Sequence, residues 1–384
     1  MSSIRICMAI DYYYPMVGGS EIQAYRLSEK LSQMGLKVFV VTRKYPGLIE
    51  TKIHNRASIF RLSIFGRNKI ASGVFFIRIL YFLIKNKKKY DIIHCHLATS
   101  TALGCLAAGI INKTPIVIKM GGSGKTGDVQ RSLSSYHGRL KIKILKKGPC
   151  NFVVPSDEIA QEMIETGFLP ERIKIIPNGV DTDYFSPINQ QCKMIKKREF
   201  GIIDKNLALY LGRLDKNKDI ILLIDAWSKL SDMGKNWKLW IIGPGNLEKA
   251  IKNLIQEKGL DCCVSLMPYV SPEKVKDYLQ IGDLFIQPSR FEGLSNALLE
   301  AMSCGLPIIA SRISINEVLI KDYFNGLLFD PGDTCDLVGC LEKALKNEKY
   351  REYWGINARK WVVENLDLSH VATLYTRLYK EIMR

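Results

Sequence analysis

The sequence predicts an α/β protein made of two Rossmann-like, doubly wound parallel-sheet domains facing an interdomain cleft. Three observations predict it. Short apolar runs alternate with helical patterns, each run closes on a Gly, Pro or Ser turn, and the series restarts once near the middle of the chain. Strands that are apolar on both faces and separated by helices belong to a parallel sheet covered on both sides. At 384 residues the chain is also too long for one ordinary core and fits two domains of roughly 150 to 200 residues.

In the first half "IRICMAI" is a strand, a glycine turn follows it, residues 21–34 form a helix, and "KVFVVT", "DIIHCH" and "TPIVIKM" are further strands. After "IKIIPNGVD" the second series begins with "LALYLGRL", then a helix over 219–230, "WKLWIIGPG" and a helix over 247–258. It continues through "CVSLM", "DLFIQPS", a helix over 295–304 and "PIIAS". The polar stretch 186–199 is the expected linker, which divides the chain into 1–185 and 186–365.

Charge and cysteines narrow the class. The net charge is +17, and residues 1–190 carry 27 Lys and Arg against 13 Asp and Glu, while residues 191–384 carry 28 against 25. A basic first half favours an anionic partner: membrane headgroups, nucleic acid or a phosphorylated substrate. Apolar stretches such as 77–84 are interrupted by Arg78 and fall short of the roughly 20 residues that cross a bilayer. Arg5 and Asp11 flank the first apolar run, which reads as a strand and not a signal peptide, so the expected location is the cytoplasm. The ten cysteines lie in apolar contexts, and the adjacent Cys262 and Cys263 lack metal-ligand spacing, so reduced thiols are expected.

"FEGLSNALLEAMSCGLPIIAS" is the most informative stretch. Glu292 precedes a helix, Glu300 lies on it, and Asn296 sits one turn before Glu300 on the same face. Carboxylates accept hydrogen bonds from hydroxyls, so this pair suits the two sugar rings of a sugar nucleotide. The backbone N–H groups of Gly293, Leu294 and Ser295 at the helix start suit a diphosphate or a sugar hydroxyl. A solvated helix carrying two glutamates is the plain alternative. In "GRLDKNKD", Arg213 and Lys218 stand at a strand end, where two cations can neutralise a leaving diphosphate, or simply be solvated. Gly18 and Gly19 lie between the first strand and its helix and allow close approach of an anion to the backbone, without the G-x-G-x-x-G spacing of a dinucleotide site.

"IKMGGSGKTGD" resembles a phosphate-binding P-loop, but the required first glycine is Lys119. The stretch, with Gly121, Gly122 and Lys125, is read as a loop at the cleft edge of the first domain, Lys125 being a possible anion contact. His94 and His96 alternate on one strand, and His96, nearer its end, is the histidine expected to face the cleft, a core position being the other reading. Residues 75–90 and 136–149 combine apolar helix faces with lysine runs, a pattern for an anionic membrane surface or for ordinary covering helices.

In this order, "GGSE", "DIIHCH", "PNGVD", "GRLDKNK" and "EGLSNALLE" resemble the motifs of the retaining GT-B glycosyltransferases of family 4 along nearly the whole chain. The resemblance implies that Glu292 contacts the donor sugar and Glu300 holds the nucleotide ribose. It puts Arg213 and Lys218 on the donor diphosphate, helped by the backbone at Gly19. It also implies an acceptor-binding first domain, joined by the returning helix at about 366–384, and a donor-binding second domain. The expected partners are a nucleotide-sugar donor, most simply a UDP-sugar, a glycan, lipid-linked or small-molecule acceptor, and an anionic membrane surface. Nucleic acid is not among them, and no cofactor or metal is expected. Two places depart from the family: Lys218 and Asp219 stand where Lys-Gly is common, and Lys119, Met120 and Gly121 stand where many relatives carry a histidine. A sugar-nucleotide-binding subunit without turnover, a P-loop NTPase and a nucleic-acid-binding protein are the alternative readings.

Overall fold

A computed structural model describes residues 3–16, 18–54, 57–66, 68–122, 124, 127–230 and 236–384. The chain divides into two compact units, Met1–Gly179 with Leu368–Arg384, and Val180–Asp367.

The first unit runs β1 (Arg5–Ala9), α1 (Gly19–Gln33), β2 (Lys37–Arg43), β3 (Thr51–His54), β4 (Ala57–Leu62), α2 (Asn68–Lys85), β5 (Ile92–His96) and α3 (Ser100–Asn112). It continues with β6 (Ile116–Lys119), α4 (Asp128–Leu133), α5 (Tyr136–Lys147), β7 (Asn151–Val154), α6 (Asp157–Glu165) and β8 (Ile173–Ile175). The strand order is β3-β4-β2-β1-β5-β6-β7-β8. Period-two alternation sorts the apolar residues between two faces. Cys7, Ala9, Ile93, Cys95 and Ile118 pack under α2, α3, α5 and α6, and Ile6, Met8, Ile92 and Val117 face α1 and the last helix of the chain.

The second unit runs α7 (Gln190–Glu199), β9 (Asn206–Leu211), α8 (Ile220–Ser228), β10 (Trp237–Ile242), α9 (Glu248–Glu257), β11 (Val264–Met267) and α10 (Pro272–Ile281). It then runs β12 (Leu284–Gln287), α11 (Asn296–Ser303), β13 (Ile308–Ser311), α12 (Ser314–Leu319), β14 (Leu327–Phe329), α13 (Thr334–Lys346) and α14 (Glu348–Leu366). Its sheet is parallel throughout, in the order β11-β10-β9-β12-β13-β14. The chain ends in α15 (Leu368–Ile382), whose Val371, Ala372, Tyr375 and Tyr379 complete the core of the first unit.

Three features differ from expectation. The first sheet is mixed, because β3 pairs antiparallel with β4, Thr51 opposite Phe60. "TKIH" holds a single apolar residue, Ile53, which is 75% exposed, and so lacks the continuous apolar run that marks a strand covered on both faces. The unit boundary lies at Gly179, ahead of residue 185, since Val180 and Phe185 are buried in the second unit's core. The expected linker 186–199 largely forms α7. Asn189 caps it by accepting the Cys192 N–H at 2.8 Å, and it docks through Lys193 and Lys197 on Asp283 and Lys196 on Asp277.

Candidate functional site

In an open parallel sheet, ligands bind beyond the carboxyl ends of the strands where the strand order reverses. In the second unit that point lies between β9 and β12, and the loops leaving these two strands carry the residues singled out above. The loop after β9 turns through a short 3-10 helix at 216–218, capped by Asp215, whose Oδ1 accepts the Asn217 N–H at 3.1 Å. This turn brings Lys218 against Glu292 from the loop after β12, and the two form an ion pair. Glu292 Oε1 also accepts the Ser289 hydroxyl at 2.9 Å and the Gln287 Nε2 at 3.1 Å. Three donors on one oxygen hold the carboxylate in place.

The spacing of the two glutamates is realised as expected. Ser295 caps α11 by accepting the Leu298 N–H at 3.4 Å, Leu294 is buried in the core beside it, and Asn296 opens the helix. One turn further, Glu300 is 4% exposed, a buried carboxylate on the face that packs inward. Gly293 lies between Glu292 and this cap. Arg213 is placed differently from Lys218: its side chain is 76% exposed and reaches Asp215 at 3.5 Å, while its carbonyl accepts the Tyr210 hydroxyl at 2.9 Å.

Backbone contacts fix the loop that bears these cations. The Gly212 N–H donates to Ile242 O at 3.0 Å and the Leu214 N–H to Pro244 O at 2.9 Å, bolting it to the "GPG" loop after β10. Gly243 has φ +136, and a Cβ there would collide with Gly212 O, so only glycine permits this approach. Asp219 adopts φ +51 and ψ 40, the conformation glycine favours, and its carboxylate accepts Arg290 Nε at 2.6 Å. Gln287, Ser289, Gly243, Gly245 and Arg290 were not singled out in the sequence. The signal for the first two is a pair of polar residues in "FIQPS", at alternate positions where a buried strand end would otherwise be apolar.

In the first unit the reversal lies between β1 and β5. Gly18 is the extended N-cap of α1 and Gly19 its first residue. A Cβ on Gly18 would run into the Glu21 carboxylate, so an acidic side chain already lies beside this helix start. The loop after β6 approaches it: a Cβ on Gly121 would stand 2.9 Å from Leu97 and 3.7 Å from Ser20 Oγ. Asp128 ties this loop to the one after β5, accepting the Gly121 N–H at 2.9 Å and the Ala98 N–H at 3.3 Å. Glu162 accepts the Gly124 N–H at 3.2 Å, and Gly122 has φ +70. Two amides of the stretch that resembles a P-loop are thus spent on carboxylates, the opposite of a phosphate cradle. Lys125 lies outside the described residues.

His96 ends β5, but its side chain lies in the core. It is 1% exposed and stacks on His94 at 4.4 Å, and His94 Nδ1 lies 2.7 Å from the Tyr379 hydroxyl. Burial, together with the neighbouring His94 and Lys119, holds it well below the ordinary histidine value, so it stays neutral in the core. Lys119, at the end of β6, is buried too, donates to Asn178 Oδ1 at 2.8 Å and lies 5.8 Å above the Tyr375 ring. Burial lowers its pKa to about 7.

The family model described as Glycosyltransferase Family 4 matches residues 17–184, and that described as Glycosyl transferases group 1 matches residues 193–361. The chain is 26% identical to an uncharacterised glycosyltransferase of Methanocaldococcus jannaschii over 99% of each chain. It is also 26% identical to the UDP-Gal:alpha-D-GlcNAc-diphosphoundecaprenol alpha-1,3-galactosyltransferase of Escherichia coli, over 75% of this chain and 74% of that one. Among solved structures, an Anabaena protein in complex with UDP and glucose superposes with a TM-score of 0.82 at 16% identity, covering 98% of this chain and 100% of that one.

Proposed function

This chain belongs to glycosyltransferase family 4, enzymes of the GT-B fold, and from that premise we propose that it moves a sugar from a UDP-sugar to an acceptor hydroxyl with retention of anomeric configuration. The observation that carries the proposal is the Lys218–Glu292 pair at the reversal point of the second sheet, buttressed by Ser289 and Gln287. Unliganded, Glu292 is the counter-ion of Lys218. A donor diphosphate takes over that cation, and the carboxylate turns to the hydroxyls of the donor sugar. Glu300 accepts from the ribose, and exposed Arg213 swings onto the diphosphate. The bond from the anomeric carbon to the diphosphate breaks as the acceptor oxygen bonds on the same face, and the acceptor's proton passes to the departing phosphate oxygen. The leaving charge is met by Lys218 and Arg213, so no divalent ion is required.

The similarity to a galactosyltransferase whose name carries a diphosphoundecaprenol acceptor supports an acceptor of cell-surface glycan synthesis, met by a cytoplasmic enzyme at the membrane. Melting temperatures of the wild type with UDP-, GDP-, dTDP- and ADP-sugars, in magnesium and in EDTA, test the donor, because a ligand of the folded state raises the midpoint. UDP-sugars are expected to raise it in both media, and Glu300→Ala to abolish the rise. Turnover should fall roughly 100-fold or more in Glu292→Gln, in line with loss of a transition-state contact. UDP-sugar binding without turnover in the wild type would instead favour the non-catalytic subunit.

A further inference from the structure

The turn that carries Lys218 is braced at its start by Gly212 and Leu214, which bolt it to the loop after β10. Asp215 then caps it, accepting the Asn217 N–H at 3.1 Å on its carboxylate and the Lys218 N–H at 3.0 Å on its carbonyl. Beyond that brace, residues 217–219 meet the loop after β12. Lys218 does so through its ion pair with Glu292. Arg290 supplies a contact on either side of that pair: its N–H donates to Asn217 O at 2.8 Å, and its Nε donates to Asp219 Oδ2 at 2.6 Å. One residue thus holds both chain neighbours of Lys218.

Asp219 and Arg290 are an unequal pair. The Asp219 side chain is 12% exposed, as enclosed as Lys218 at 15% and Glu292 at 13%, whereas Arg290 is 52% exposed. An enclosed carboxylate is costly without a partner, and beside a cation that is to meet a diphosphate its charge has the wrong sign. An ion pair with one member half in water adds little to stability, so the contact calls for another reason. Arg290 is itself anchored by its neighbour: Ser289 gives its hydroxyl to Glu292, and its carbonyl accepts the Ser311 hydroxyl. The arginine that grips residues 217 and 219 therefore starts from the same short loop as the carboxylate that grips Lys218.

We propose that Arg290 and Asp219 form a positioning pair that keeps Lys218 aimed at the donor diphosphate after Glu292 has released it. In the unliganded chain Glu292 orients the ammonium group. Once the diphosphate takes over that cation, Glu292 no longer restrains it, and the contacts of Arg290 with Asn217 and Asp219 hold the backbone of Lys218 in place from both sides. Neither member of the pair touches the donor; both act through Lys218. The inference deepens the proposed function and rests on it for the diphosphate.

Calorimetric titration of the full chain with UDP and with uridine tests it, because only UDP carries the group that Lys218 meets. The wild type should bind UDP at least about tenfold more tightly than uridine, and Lys218→Met should remove most of that advantage, as loss of a hydrogen bond to a charged group does. Asp219→Gly suits the left-handed backbone and deletes only the carboxylate. It should weaken UDP binding roughly three- to tenfold, a coupling usual for residues in one network. A carboxylate that acted only through its charge would repel the diphosphate, and its removal would tighten UDP binding, so the sign decides. Arg290→Ala should cost the same factor, and the double variant no more than either single one. In the Lys218→Met background neither change should alter UDP affinity further, and uridine affinity should stay at the wild-type value in every variant. Unchanged or tighter UDP binding in Asp219→Gly, or a loss in Arg290→Ala that persists without Lys218, overturns the positioning pair and leaves the donor reading intact. A wild type that binds UDP no better than uridine overturns both.

Discussion

Asp219 holds its backbone at φ +51, the left-handed region that glycine enters most easily. Aspartate is among the few L-residues that enter the left-handed region readily, and here Arg290 Nε fixes its carboxylate at 2.6 Å. Asp219→Gly should therefore leave the urea midpoint nearly unchanged, whereas Asp219→Val should lower stability by about 1 to 2 kcal/mol from left-handed strain. Equal midpoints for the two variants would remove the argument. Lys119 gives the chain a pH dependence. Burial lowers its pKa to about 7, while an unfolded lysine keeps its proton to about 10.4. Between those values the unfolded chain binds more protons, so stability rises with pH across the window. His94 acts below it: burial, then the Lys119 charge, lowers it to about 3, so stability falls as pH drops from the unfolded histidine value towards 3. Lys119→Met should flatten the rise between neutrality and pH ~10 in urea midpoints. An unchanged slope would mean that another group titrates there.

At the scale of elements, α7 shows what hydrophobic patterning misses. No residue of this helix is buried, and it is held by charge: Asp283 takes Lys193 at 2.8 Å, Lys197, and the Leu207 N–H at 2.7 Å. Burial pushes the Asp283 carboxyl up, but the two lysines outweigh it and hold the pKa below the ordinary value. Its contribution is present at neutral pH and is lost as pH falls through the folded value. Asp283→Asn should cost about 3 kcal/mol in chemical denaturation, because it leaves two half-buried ammonium groups without their counter-charge. A cost under about 0.5 kcal/mol would mark the pairs as surface decoration. The same limit governs what the sequence discloses. Core helices appear almost at their observed ends, α11 at Asn296–Ser303 against an expected 295–304, because their apolar spacing is local information. Glu292 and Lys218 are legible through motif spacing, but Ser289 and Gln287, which hold Glu292, become evident only once β12 brings them to the same edge. The sequence leaves His96 between a cleft-facing and a core position, because alternation tells which side chains share a face of β5, not that α15 covers that face with Tyr375 and Tyr379.

At the scale of the molecule, the second unit is one unbroken segment, 180–367, whose ends meet each other: Val180 N–H donates to Leu366 O at 3.0 Å, Val180 bridges Asp367, and Thr182 Oγ1 donates to Asp367 at 2.6 Å. It has its own two apolar clusters, one on each face of its parallel sheet, and the Lys218–Glu292 pair, Glu300 and the "GPG" brace all lie inside it. The first unit differs, since it is assembled from two separated segments and needs α15 to cover Ile6, Met8, Ile92 and Val117. Residues 180–367 expressed alone should therefore unfold in one cooperative transition and show a melting-temperature rise with UDP-sugar that Glu300→Ala abolishes. Residues 1–179 without α15 should expose an apolar face, lose cooperative melting and regain it when residues 368–384 are fused to them. If the isolated second unit folds yet shows no rise with any nucleotide sugar, the donor contacts assigned to it are insufficient for binding, and those at Gly19 carry more of the affinity than the geometry of Lys218 and Glu292 implies.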